Sequence, residues 1–311
     1  MRNHLSNGLQ ASLGRRITYL GDDRCVIAAS CAKSTSLIFL FRSLRFPPLL
    51  YRIGYLTRRA LIHVSSIFWF QLNTLEELGD NLRRGRMPFR WSMLISQMDR
   101  TGVGSVPLVM MVSFFLGLTM ALLTGYQLEK FGTERLVPAL IAVSFTRELG
   151  PLLTGIVLAA RIGAAYTAEL GTMQVSEEVE AIEAMGIGPL RFLVAPRLVA
   201  ISLMMPCLSV ISCIAAIIGS ALISWLTLNI VPAAYFDATL ASFLLHDIIV
   251  GLGKATFFGF LIGLIACYQG LTVTGGAEGV GRATTDSVVA AITTVIGFDT
   301  LFNVMVTKIT G

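Results

Sequence analysis

Five charged residues interrupt the long apolar segments of this 311-residue chain, where a charge is costly: Arg147, Glu148, Arg161, Lys254 and Asp299. Lys254 has no other charged residue within residues 248–277, so we expect it to face the interior of a helix bundle beside a carboxylate. Asp299 is the first candidate for that carboxylate, and Glu148 is the second. Such a group could be a structural ion pair or a relay for protons. The candidate charge network is Arg147, Glu148, Lys254 and Asp299.

A polar segment at residues 171–189 separates two long apolar segments, so it belongs in water. Ser176 can cap a short helix there, and the acidic residues that follow suit the positive N-terminal end of that helix. Apolar residues at every third position provide one hydrophobic face, either Gly186 or Gly188 ends the helix, and Pro189 prevents its continuation. This helix is either a plain connection or a contact for a soluble protein. The candidate contact residues are Glu177, Glu178, Glu180, Glu183, Ala184 and Gly186.

Small residues recur at every fourth position in two apolar segments, at residues 155–171 and 251–263. This spacing lets helix backbones approach closely in lipid. The two series fit packing within the chain and contact between two copies equally well. The candidate packing glycines are Gly155, Gly163, Gly171, Gly259 and Gly263.

The elements that position these residues are predicted to be membrane-spanning helices. The chain is 54% hydrophobic and 14% charged, whereas about a quarter of the residues in a soluble domain are charged. We therefore predict an all-α membrane protein with five transmembrane helices and a short cytoplasmic helix between the second and third. The third apolar segment is expected to leave the membrane near Asn229 and Pro232, and the glycines of residues 275–281 predict a loop. The five apolar segments are residues 101–128, 136–168, 198–236, 248–274 and 287–306.

The part of the chain before the spans is predicted to form two regions. Residues 1–60 are basic and are expected to be a poorly ordered extension, with an organelle transit peptide as the alternative. Residues 61–100 contain an amphipathic helix followed by arginines and Trp91, which indicates a helix lying on the cytoplasmic leaflet; a helix of a small soluble domain is the alternative. Residues 101–311 are predicted to form the five-span domain. The arginine-rich N-terminus belongs in the cytoplasm, which places residues 171–189 and 275–281 there too.

Four motifs follow one another along the chain: TRELGP at 146–151, AELGTMQVSEE at 168–178, EAMGI at 183–187 and TGGAEGVGRATT at 274–285. Together they resemble the MlaE family, the permease subunits of MCE-type ABC lipid transporters. The resemblance covers residues 65–307 and implies transport of phospholipids or related lipids between the inner membrane and another membrane. It places the candidate charge network near the lipid cavity, where a charged pair could bind lipid head groups.

The resemblance also implies a homodimer, an ABC ATPase subunit that contacts residues 177–186, an MCE-domain protein and, in bacteria, a STAS-domain protein. The expected location is a bacterial inner membrane or, as the alternative, the plastid inner envelope.

Several other functions are not expected from this sequence. Gly253 and Lys254 lack the preceding glycine of a phosphate-binding loop, so ATP is expected to bind a partner subunit. The five cysteines lack metal-ligand spacing, the three histidines form no catalytic group, and the basic residues lie beside spans instead of forming a nucleic-acid surface. The chain is therefore predicted to be no enzyme and to hold no cofactor or metal. The alternatives to a lipid permease are a proton-coupled carrier that uses Glu148, Lys254 and Asp299, and a membrane scaffold.

Overall fold

The computed structural model describes residues 91–310, which form helices joined by short connections and contain no strand. Five of these helices are long and apolar enough to cross a membrane, so the prediction of an all-α protein with five spans is confirmed. The predicted extension at residues 1–60 and the amphipathic helix after it lie outside the described residues. The helices are α1 Trp91–Glu129, α2 Glu134–Val175, α3 Glu178–Ala184, α4 Leu190–Leu228, α5 Pro232–Ala241, α6 Leu245–Leu271 and α7 Gly276–Thr310.

Helices α1 and α4 form a close pair through small residues that recur at every fourth position. A Cβ atom added to Gly117 would overlap the carbonyl oxygen of Ala216, and the Ser113 and Ser212 hydroxyls are 2.7 Å apart. This series in α1 was not among the packing residues predicted from the sequence, although it has the same four-residue spacing of small residues. Close backbone approach therefore holds α1 against α4. The buried members of the series are Ser113, Gly117, Ala121 and Gly125.

The five candidate packing glycines face other helices of the same chain. Gly155 lies against Val295 and Phe258, and Gly171 lies against Val273. Gly259 and Gly263 bring α6 close to Ile201 and Leu198 of α4, while Gly163 lies near Ile262. Both small-residue series therefore serve packing within one chain.

The connection between α6 and α7 differs from the predicted glycine loop. Residues 272–275 lie outside the helices, but α7 already begins at Gly276, so the loop interpretation was wrong for residues 276–281. Gly275 and Gly276 have φ of +95° and +71°, which places the sharp turn at these two positions. Beyond them an i,i+4 pair between Glu278 and Arg282, at 2.9 Å, suits a helix.

Helix α5 is attached to α4 at the end of the bundle opposite α3. Helix α4 ends at Leu228, close to the exit that the sequence predicted near Asn229 and Pro232. Asn229 takes a left-handed conformation, and Pro232 begins α5, a helix that the sequence did not predict. The Tyr235 ring is 1% exposed, and its hydroxyl lies 2.7 Å from that of Ser220 on α4. Burial raises the pKa of Tyr235, so its phenol stays neutral and available as a donor.

Changing Tyr235 to phenylalanine is expected to remove this hydrogen bond and lower the free energy of unfolding by about 1 kcal/mol. The measurement is SDS-induced unfolding of the purified protein in mixed micelles. Tyr126, which is 61% exposed on α1, provides the control Tyr126→Phe, which should change stability little. Equal stability of the two variants would contradict an anchoring role for Tyr235.

Candidate functional site

A buried charge cluster joins α2, α6 and α7. The Lys254 Nζ atom lies 2.6 Å from Glu148 Oε2 and 2.6 Å from Asp299 Oδ1, and its side chain is 1% exposed. The structure therefore brings Lys254 together with both acids that the sequence singled out. One ammonium between two carboxylates is well compensated, which explains how the charge is tolerated inside the bundle.

Asn303 completes this cluster, and the sequence patterns did not indicate it. Its amide oxygen accepts a hydrogen bond from Lys254 Nζ at 2.9 Å, and its amide nitrogen donates to Glu148 Oε2 at 2.9 Å. The same nitrogen lies 3.4 Å from Asp299 Oδ2. The sequence did contain one signal for Asn303: it follows Asp299 by four residues, which places both side chains on the same face of α7.

A local widening of α2 presents Glu148 to the cluster. Residues Phe145–Leu149 form a π-helical turn in which the Gly150 N–H bonds the carbonyl of Phe145, five residues earlier. Pro151 causes the widening. It has no N–H to donate to the carbonyl of Arg147, and in a regular α-helix its ring would clash with that Arg147 carbonyl. Such single π turns often occur at functional sites. The motif that contains this proline therefore shapes the backbone beneath Glu148.

Arg147 lies apart from the cluster. Its guanidinium is 3.9 Å from Asp247 near the start of α6, and its side chain is 34% exposed. Neighbouring residues on a helix face different directions, so Arg147 and Glu148 reach different partners. The predicted four-residue network is thus two separate groups in the structure.

The cluster lies nearer the α5 end of the bundle than the α3 end. Lys254 is about 14 Å along α6 from Leu245, at about 1.5 Å per residue in a helix of roughly 40 Å. The charge bias of the sequence predicts that the α5 end faces away from the cytoplasm, since residues 226–245 contain no Lys or Arg. The charges would therefore lie in the outer half of the membrane.

An apolar cavity of about 250 Å³ adjoins the backbone that carries these charges. Thr146 of the π turn lines it, and so does Gly251, one helical turn before Lys254. A cavity with this lining suits hydrocarbon better than a polar solute. Its other walls include Ser209, Cys213, Ile217 and Phe243.

Helix α3 lies at the opposite end of the bundle with its acidic side chains exposed. Val179 is 5% exposed and packs in one cluster with Leu170, Leu193 and Leu264. The helix therefore rests on the bundle through its apolar face. Gly186, with φ of +76°, ends it, and its N–H bonds the carbonyl of Glu183 at 2.9 Å. All six candidate contact residues are exposed: Glu177, Glu178, Glu180, Glu183, Ala184 and Gly186.

Ser176 does not cap α3, so that prediction was wrong. Its N–H bonds the carbonyl of Thr172 at 2.9 Å, which extends the last turn of α2 to Ser176. Glu177 precedes α3 instead, with a left-handed φ of 60° and no side-chain bond to the helix. The change of direction between α2 and α3 therefore occurs at one residue.

About two thirds of this chain is similar to known proteins. The family model described as Permease MlaE matches residues 94–305. A probable ABC transporter permease protein of Rickettsia typhi is 40% identical over 65% of this chain and 78% of its own length. A probable ABC transporter permease protein of Pyropia yezoensis is 32% identical over 70% of this chain and 83% of its own. The Arabidopsis thaliana chloroplastic protein TRIGALACTOSYLDIACYLGLYCEROL 1 is 35% identical over 65% of this chain and 58% of its own.

Proposed function

We propose a lipid-transport function for this chain, which belongs to the MlaE permease family. It is the permease subunit of an ABC transporter that moves phospholipids or related lipids between two membranes. A separate ATPase subunit powers the movement. The Arabidopsis relative carries the name of a diacylglycerol glycolipid, which favours a lipid as the transported molecule. The chain itself performs no hydrolysis and binds no cofactor in this proposal.

The observation that carries the proposal is α3, a short acidic helix between the second and third spans. Val179 faces the bundle, while the acidic residues of α3 are exposed. When a soluble protein binds and displaces a helix held in this way, the displacement is transmitted to both spans that flank the helix. The four exposed glutamates would meet a basic surface on the ATPase.

The charge cluster and the cavity support lipid as the substrate. Lys254 and its two carboxylates provide polar groups at a depth where a lipid head group would have to move. The apolar lining of the neighbouring cavity suits hydrocarbon. A polar group beside an apolar space matches the two parts of a phospholipid.

The further partners and the location of the transporter are part of this proposal. The working unit is a homodimer with two ATPases, an MCE-domain protein on the far side of the membrane and, in bacteria, a STAS-domain protein. The membrane is the bacterial inner membrane, with the plastid inner envelope as the alternative. Relatives in Rickettsia and in chloroplasts are consistent with either location.

Purification of the chain from its native membranes, with mass spectrometry of bound proteins and lipids, tests the proposal. We expect an ABC ATPase, an MCE-domain protein and phospholipid to be recovered together. Transport driven by a pH gradient without ATP would instead favour a proton-coupled carrier that uses the charge cluster. Recovery of neither an ATPase nor a lipid would favour a membrane scaffold.

Changing Glu183 to lysine is expected to weaken ATPase association about tenfold, because it reverses a charge on the exposed face of α3. The permease should still insert, since Glu183 is exposed in the structure. Pull-down of the ATPase from detergent extracts measures the effect. The control Glu129→Lys makes the same change at the opposite end of the bundle. Full ATPase recovery and full transport in the Glu183 variant would show that α3 is not the docking site.

A further inference from the structure

A second charged group lies at the α3 end of the bundle, where α1, α2 and α4 meet. The Arg197 Nη2 atom on α4 is 3.2 Å from Glu169 Oε2 on α2. Glu169 also pairs with Arg100 on α1. The Arg197 side chain is 6% exposed, whereas that of Arg100 is 62% exposed. The Glu169–Arg197 pair is therefore the shielded part of the group, where an electrostatic interaction is strong.

Arg197 makes two further contacts, one within α4 and one with α2. Its Nη1 atom donates to the carbonyl of Leu193 at 2.8 Å, and its guanidinium lies 5.8 Å from the centre of the Tyr166 ring. The Tyr166 hydroxyl is in turn 2.7 Å from that of Thr101 on α1. A planar guanidinium can serve a carbonyl, a carboxylate and an aromatic face together, whereas an ammonium cannot reproduce this geometry.

The Glu169–Arg197 pair closes the base of the segment that contains α3. Glu169 precedes α3 in the chain and Arg197 follows it, so the ion pair joins the two ends of residues 170–196. Val179 of α3 packs in one apolar cluster with Leu170 and Leu198, the chain neighbours of the two charged residues. Helix α3 is thus attached to the bundle at the same place where its two flanking segments are joined.

We propose that Glu169 and Arg197 are a positioning pair that couples α3 to the helix bundle. This inference rests on the proposed function, because it concerns how force from the ATPase reaches the spans. With the pair intact, displacement of α3 moves α2 and α4 together, and α1 follows through Arg100 and Thr101. Without the pair, α3 shifts against the spans, and ATP hydrolysis proceeds without moving lipid.

The test uses the complete transporter in vesicles of phosphatidylethanolamine and phosphatidylglycerol that contain NBD-labelled phosphatidylethanolamine. Both ATP hydrolysis and ATP-dependent movement of the labelled lipid are measured. For Glu169→Gln we expect ATP hydrolysis within about twofold of wild type and about tenfold less lipid moved per ATP hydrolysed. The control Glu278→Gln removes the same charge from an exposed pair on α7 and should leave the ratio unchanged.

A second variant and a second measurement guard against a purely structural effect. Arg197→Lys keeps the charge but loses the paired geometry, so its transport ratio should lie between those of wild type and Glu169→Gln. Hydrogen exchange of the full chain should become faster at residues 177–188 in both variants, and this readout needs no ATPase. An unchanged ratio in an intact complex would overturn the proposal. Failure of both variants to insert would also overturn it, because the pair would then be required for the fold.

The same experiment separates this inference from the proposed function. If the wild-type preparation contains no ATPase and moves no lipid, the proposed function fails. Only the positioning role fails if wild type transports lipid but the variants do not differ from it. In that case neither hydrogen exchange at residues 177–188 nor the amount of lipid moved per ATP hydrolysed would change.

Discussion

Replacing Lys254 with alanine is expected to lower the free energy of unfolding by about 3–5 kcal/mol, because it leaves the buried Asp299 carboxylate and the partly exposed Glu148 carboxylate without their cation. Lys254 contacts both Glu148 and Asp299 at 2.6 Å, so the variant places two acids near each other with Asn303 as their remaining shared donor. SDS-induced unfolding in mixed micelles measures the change in stability. Lipid movement by the reconstituted transporter should fall at least as strongly.

A double variant distinguishes a structural cluster from one that handles lipid. Lys254→Ala combined with Asp299→Asn leaves one carboxylate, Glu148, which Asn303 still bonds at 2.9 Å. We expect this protein to be more stable than the Lys254→Ala variant. Recovery of stability without recovery of transport would assign the cluster a direct role with lipid, whereas recovery of both would make it structural. If Lys254→Ala were neutral for both properties, the buried ion cluster would have no importance for the protein.

Replacing Gly251 with alanine is expected to lower the free energy of unfolding by about 3 kcal/mol, at the upper end of what overpacking costs. The added Cβ atom would overlap the carbonyl oxygen of Thr146, which belongs to the π turn beneath Glu148. A backbone atom cannot move aside as a flexible side chain can, so α6 must shift away from α2. Because Lys254 is one turn further along α6, the Lys254–Glu148 contact of 2.6 Å should lengthen and transport should fall as well.

Gly253, two residues further along the same helix, provides a matched control. An added Cβ atom there would meet nothing within 4 Å, and the residue is exposed. Gly253→Ala should therefore keep transport and change the free energy of unfolding by less than about 1 kcal/mol, with the helix propensity of alanine favouring a gain. Similar losses in both variants would mean that the close approach of α6 to α2 is not what positions Lys254.

Much of the fold could be predicted from the sequence because a membrane restricts the choice of structure. Backbone groups in hydrocarbon must bond within their own segment, so long apolar segments become helices. The same solvent makes an isolated Lys254 too costly, which was enough to predict a carboxylate partner and to name Glu148 and Asp299. The acidic helix at residues 178–184 was also predictable, since polar residues between two spans must lie in water. These conclusions depend on local composition and order along the chain.

Only the tertiary structure decided which side chains share a site. Arg147 pairs with Asp247 and Glu148 with Lys254, because the π turn before Pro151 and the close contact at Gly251 set the rotation of α2 against α6. Asn303 reaches the cluster because of how deep α7 lies in the bundle and how it is rotated about its axis. The sequence of α7 does not specify either property.

The Glu169–Arg197 pair was hidden from the sequence for the same reason. Its members are separated by the whole α3 segment and meet only when α2 and α4 pack side by side. Composition determines which segments enter the membrane and that their charges need partners. The rotations and depths of packed helices, set by contacts between residues far apart in the chain, determine which partners those charges find.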